Sequence, residues 1–206
     1  MNIDERIKIL MENMKRLSSK HPQFTCGKFP PEWDKPLTEK EVAEYEKKNN
    51  IKLPEDYRKF ITTVAGSGTQ PFYGLYSLKE QKEIAVNEKF HYTIKNPLDI
   101  LSLSDEEYDA VFETDDNTLK AGYLYLCHEG CGMYSILVVN TDDENTYGTV
   151  WYYDIANDAG IFPLINPINN NTMSFLDWLE YYVDKTLELD DSDFFSYGEL
   201  VRIEEL

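Results

Sequence analysis

Ile3, Ile7, Leu10, Met14 and Leu17 recur at alternating intervals of four and three residues, with charged and polar side chains between them. That spacing puts all five on one stripe of an α-helix and predicts an amphipathic N-terminal helix packed against the body of the protein. Residues 20–36, which include Pro22, Pro30 and Pro31, interrupt the pattern and read as a linker. Helical periodicity resumes in LTEKEVAEYEKKNNIKLPEDYRKFITTVAGSG. Thr38 followed by Glu41 is a capping box, in which hydroxyl and carboxylate each satisfy a free backbone N–H of a starting helix. Val42 and Tyr45 fall on the inner face of that helix. Pro54 suits the first turn of the next, where its missing N–H costs nothing. Tyr57, Phe60, Ile61 and Val64 form the second helix's apolar face, and Gly66 and Gly68 supply its stop.

The pattern then changes. Gly74 to Leu78 reads as a short strand and Lys79 to Lys89 as weakly helical. Ser104 with Glu107 is a second capping box, opening a short helix through Phe112. Three strand-like runs follow: GYLYLC, MYSILVVN and GTVWYYD, rich in Tyr, Val, Ile and Leu and separated by turn residues. TDDENTY, between the last two, is a polar hairpin loop. Ser174 caps a final helix with Leu176, Leu179, Val183 and Leu187 on one face. Helices, an antiparallel meander and a closing helix make an α+β pattern, a central antiparallel sheet with helices packed on it. Three segments follow: an N-terminal helix and linker (1–36), a body (37–188) and an acidic C-terminal tail with some aromatic content (189–206).

Composition narrows the class. The chain has 206 residues, enough for one sizeable core, and 42% of them are hydrophobic. No stretch approaches the ~20 apolar residues of a membrane span. The N-terminal stripe mixes charge into every turn, unlike a secretory leader. With three cysteines, a disulfide framework is not expected, and a reducing cytoplasm is the plain reading. The net charge is −18, unevenly placed: residues 1–100 carry 17 Lys/Arg against 15 Asp/Glu, and residues 101–206 carry 3 against 23. A field of that sign repels nucleic acid and anionic membranes and speeds encounter with a basic protein. It also keeps a protein soluble, which needs no partner.

The stretch CHEGCG, residues 127–132, invites a chemical reading. A structural zinc site wants four Cys/His ligands, usually in two separated pairs. Here Cys127, His128 and Cys131 have only distant company in Cys26, His21 and His91. A redox pair wants Cys-x-x-Cys at a helix start, whereas this stretch follows a strand. A turn fits better, with Glu129-Gly130 reversing the chain, Gly132 starting the return strand, and both cysteines as small, partly buried fillers. Ala65-Gly-Ser-Gly-Thr-Gln-Pro lacks the Gly-Lys-Ser/Thr ending of a phosphate loop and follows a helix. Asp142-Asp143-Glu144-Asn145 lacks the alternating ligand spacing of a calcium loop. No catalytic residues, metal or cofactor are expected.

Three blocks together resemble the SUKH superfamily, which includes the Smi/Knr-like cell-wall regulators and many bacterial proteins. They are L-T-x-x-E-V with Ile51-Lys52-Leu53-Pro54-Glu55-Asp56-Tyr57-Arg58-Lys59-Phe60; then Leu124–Leu126, Gly130-Cys131-Gly132 and Tyr147-Gly148-Thr149-Val150-Trp151; then Ser174-Phe175-Leu176-Asp177-Trp178-Leu179. Gly66-Ser67-Gly68 departs from the Asn-Gly-Gly common in that family, and the 79–120 segment is longer than in shorter members. The resemblance implies an α+β fold and action by binding, as in immunity proteins that block secreted toxin domains, often nucleases. It carries no agreed catalytic residues.

An inhibitor of a nuclease can imitate nucleic acid by presenting carboxylates with aromatics between them. Asp115, Asp116, Asp142, Asp143, Glu144, Trp151, Tyr152, Tyr153, Asp154 and Asp158 supply both, and place the expected partner surface on the hairpin loop and the strand GTVWYYD. The expected partner is a basic protein, not nucleic acid or membrane. The alternative is a regulatory scaffold in cell-wall synthesis or signalling, with the N-terminal helix and acidic tail as recruitment elements.

Overall fold

A computed structural model of the chain describes residues 1–20, 32–112, 118–190 and 195–201. Its centre is a five-stranded sheet in the order β1-β5-β4-β3-β2, made of Leu98–Asp99 (β1), Tyr123–Gly130 (β2), Met133–Val138 (β3), Val150–Asp154 (β4) and Gly160–Pro163 (β5). Every neighbouring pair is antiparallel, so β2 to β5 form a meander and β1 closes the far edge. Among the described residues, five α-helices complete an α+β fold: Ile3–Lys20 (α1), Glu39–Asn49 (α2), Glu55–Thr63 (α3), Asp105–Phe112 (α4) and Phe175–Glu188 (α5).

The helix starts follow from local chemistry. Thr38 and Glu41 form their capping box, Ser104 and Glu107 exchange the same bonds, and Ser174 forms a box with Asp177. The stops follow different rules from those expected. Helix α2 ends on Asn50 in the left-handed region, while α3 runs out at Val64 with no glycine cap. Neither Gly66 nor Gly68 adopts a positive φ. Gly68 is needed instead for close approach, because any side chain there would collide with the Trp33 ring.

Two expected elements between the helices and the sheet are replaced by tertiary contacts. Residues 74–78 are not a strand; Leu75 alone in that stretch makes isolated bridges, to Gly68 and to Cys127. Lys79–Lys89 is not helical. Its Gln81 is buried and turns both ends of its amide on Tyr125, donating to the carbonyl at 2.9 Å and accepting from the N–H at 2.8 Å. At Tyr125 a side chain thus takes the place of a neighbouring strand, while the backbone N–H groups of Tyr76 and Tyr73 donate to Leu126 and His128 farther along the same edge.

Helix α5 lies on one face of the sheet, where the Trp178 indole N–H donates to Ser135 Oγ at 3.0 Å. Helix α1 packs against α5 through Ile7, Leu10, Met14 and Leu17, all buried, and Arg6 bridges Glu180 and Asp177 at 2.7 Å each. Helix α3 joins through edge-on contacts of Tyr57 and Phe60 with Phe175. The expected acidic tail is partly core: Phe195 and Tyr197 are 6% and 0% exposed, and the Tyr197 hydroxyl donates to the Trp178 carbonyl. Its aromatic residues, not its charges, decide where residues 195–201 lie.

Candidate partner-binding surface

The β2–β3 turn is a two-residue hairpin. Cys131 and Gly132 have φ of 50° and 82°, the left-handed pair of a type I′ turn, between the paired Gly130 and Met133. The reversal is therefore at Cys131-Gly132, two residues beyond the expected Glu129-Gly130. Cys127 is a buried filler as expected, whereas Cys131 is exposed at the tip. Among the described residues, no three His, Cys, Asp or Glu side chains are placed to hold a metal ion.

Strand β4 does not face outward. Trp151 is fully buried, with its indole N–H donating to Thr149 Oγ1 at 2.8 Å and its ring edge-on to Phe90. Tyr152 and Tyr153 are 3% and 6% exposed. Asp154 is also buried; it accepts from Asn157 and so shapes the turn into β5. Asp158 is exposed in that turn. A β-strand rises about 3.3 Å per residue, so β4 holds Asp154 and Asp158 roughly 13 Å or more from the hairpin loop at its other end. The eight expected residues that are described therefore do not make one patch, and Asp115 and Asp116 lie outside the described residues.

The hairpin loop itself is a surface. Asp142 is exposed and pairs with Lys89 at 3.0 Å, and Glu144 is exposed. Asp143 works inward: it accepts from Thr146 Oγ1 at 2.7 Å and from the Asn145 backbone at 3.2 Å, bonds that hold its carboxyl below the ordinary range. Helix α4 is a second acidic surface. None of its side chains is buried, and Asp105, Glu106 and Asp109 are exposed.

The aromatic surface is elsewhere, on the sheet face opposite α5. Tyr123, Tyr125, Tyr134, Tyr153 and His128 form a ladder of rings with centroids 4.6–6.2 Å apart. It is graded. Tyr123, edge-on to Phe90, and Tyr153 are buried, Tyr125 and Tyr134 are half-buried, and Tyr73, which packs on His128, is 68% exposed. Burial raises the Tyr123, Tyr125 and Tyr153 hydroxyls above the usual tyrosine range and lowers His128, which keeps these four groups neutral near pH 7. Glu80 and Glu83, both exposed, stand near the Tyr76 and Tyr125 hydroxyls. Half-buried tyrosines are a residue type enriched at binding hot spots. Sequence reading misses Tyr125 and Tyr134. Their strand alternation is visible, but which face stays open depends on where α5 docks.

A family model matches residues 36–179, more than half of the chain. The chain belongs to the SMI1 / KNR4 family (SUKH-1). The match takes in α2, α3, the whole sheet and the first turn of α5, the frame that carries the tyrosine ladder. No curated protein and no solved structure matches the chain.

Proposed function

We propose that this SUKH-family protein is a non-enzymatic, cytoplasmic binding protein that neutralises a basic toxin domain, with a nuclease as the favoured target. The observation that carries this reading is the half-buried pair Tyr125 and Tyr134, backed by a packed aromatic core and rimmed by Glu80 and Glu83. The net of −20 in residues 101–206 supports it, since carboxylates on α4 and the hairpin loop would steer a cationic partner. The scaffold alternative recruits partners through the N-terminal helix and the C-terminal tail, and α1 and residues 195–201 are both built into the core.

The test is capture of partners by the full chain from its source lysate at low and high salt, read by mass spectrometry. The expected result is one basic toxin domain, retained best at low salt, whose activity the purified chain blocks and the Tyr134→Ala variant blocks less well. Recovery of wall-synthesis or signalling proteins instead turns the case to the scaffold.

A further inference from the structure

Glu129, the penultimate residue of β2, is a carboxylate placed where carboxylates are rarely found. It is 3% exposed and lies on the α5 side of the sheet. One oxygen accepts from Ser135 Oγ at 2.6 Å, and Ser135 in turn accepts from Trp178. The other accepts from the backbone N–H of Tyr197 at 3.2 Å and sits 3.5 Å from Ser196 Oγ. The carboxyl is thus a polar link between the sheet and residues 195–201, a segment held also by rings, by the Tyr197 hydroxyl on the Trp178 carbonyl and by Ser196 on Tyr152. Tyr197 stacks on Trp178, and Phe195 and Tyr197 pack on Phe72 and Tyr181.

The groups that face Glu129 do not neutralise it. Strand β4 contributes Asp154 and Tyr152, β3 contributes Ser135, and the C-terminal segment contributes Ser196 and Tyr197. None is a cation, and Asp154 adds a second negative charge. Burial dominates the three donors and moves the carboxyl up to about 7. A protonated carboxyl keeps the geometry, since its O–H can donate to Ser135 Oγ while its carbonyl still accepts from Tyr197.

We propose that Phe195–Val201 is a proton-linked strap: its docking on the sheet is tightest when Glu129 carries a proton and loosens as the pH rises. Linkage sets the sign. Undocking gives Glu129 access to water and returns it toward the ordinary carboxyl range, so docking takes up a proton. The docked form is therefore favoured at acid pH, loses ground between the two values, and levels off above the higher one. Release uncovers the rings of Trp178, Tyr181 and Phe72. This inference is independent of the toxin reading, because it concerns the opposite face of the sheet and no partner.

Hydrogen–deuterium exchange of the full chain tests it, read at the 195–201 amides and corrected for intrinsic exchange. Protection of the wild-type strap should fall ~10-fold or more from about pH 5.5 to about pH 8. Glu129→Gln, neutral and of the same shape, should hold its protection constant across that range. A wild-type strap whose protection does not change with pH overturns the proposal, as does a Glu129→Gln strap that loses protection in parallel. Should Glu129→Gln not fold, the wild-type series alone decides: a fall in protection supports the strap and constant protection overturns it.

Discussion

Ser135 satisfies two buried groups at once. Its hydroxyl donates to Glu129 and accepts from the Trp178 indole, and all three residues are shut off from water. Ser135→Ala leaves the indole N–H with no acceptor in a dry site and Glu129 one donor short. Unsatisfied buried groups cost about 1–3 kcal/mol, so the variant should unfold that much more easily in urea, with the exposed Ser102→Ala as a control near zero. A loss no larger than the control's would mean that the indole finds another partner. None of this is legible in the sequence. A glutamate two residues before a glycine turn reads as exposed, and the residue that buries it, Tyr197, comes 68 positions later. The turn shows the same limit at short range. Gly132 announces a hairpin, but nothing local says that Cys131 will accept a positive φ and take the other corner.

Elements with their own periodicity are legible, and elements made by contact are not. Helix α1 is visible as a stripe, and the stripe is what packs: Leu10, Met14 and Leu17 are at most 2% exposed. Leu10→Ala should therefore cost about 2–5 kcal/mol in chemical denaturation, and Arg6→Ala much less, because its carboxylate partners are partly solvated. Strands β2, β3 and β4 carry enough Tyr, Val and Ile to be read, while β5 is four residues with a glycine at one end and a proline at the other. At Tyr125 the edge of β2 depends on Gln81, which the surrounding sequence presents as one polar residue among charges. Gln81→Ala removes both amide bonds and bares the Tyr125 backbone. The variant should self-associate more readily than the wild type in sedimentation velocity, since an unpaired edge is a template for another strand. The tyrosine ladder is legible only as composition. Period-two alternation puts Tyr123 and Tyr125 on one face, and the docking of α5 through Trp178 leaves that face open.

At the scale of the molecule, the charge is divided between ends of the chain, but the partner surface we propose is not set by charge alone. The rings that can anchor a partner sit on the sheet, and the carboxylates that can steer it sit on α4 and the hairpin loop. Steering and anchoring separate experimentally, because remote charges act on the association rate and desolvated contacts on the dissociation rate. Asp105, Glu106 and Asp109 are exposed and can be changed to lysine without touching a capping bond, as can Glu144; Asp143 cannot, because it holds the loop. With the basic partner recovered by capture, the fourfold lysine variant should associate roughly 10-fold more slowly at low salt and show a flatter salt dependence, at an unchanged thermal midpoint. Tyr134→Ala should do the reverse, leaving the on-rate and its salt dependence in place while raising the off-rate. Surface plasmon resonance across a salt series reads both. Equal effects of the two variants on both rates would join the acids and the rings in one desolvated patch. An unchanged on-rate in the lysine variant would assign the acidic half to solubility and leave the sheet face to bind alone.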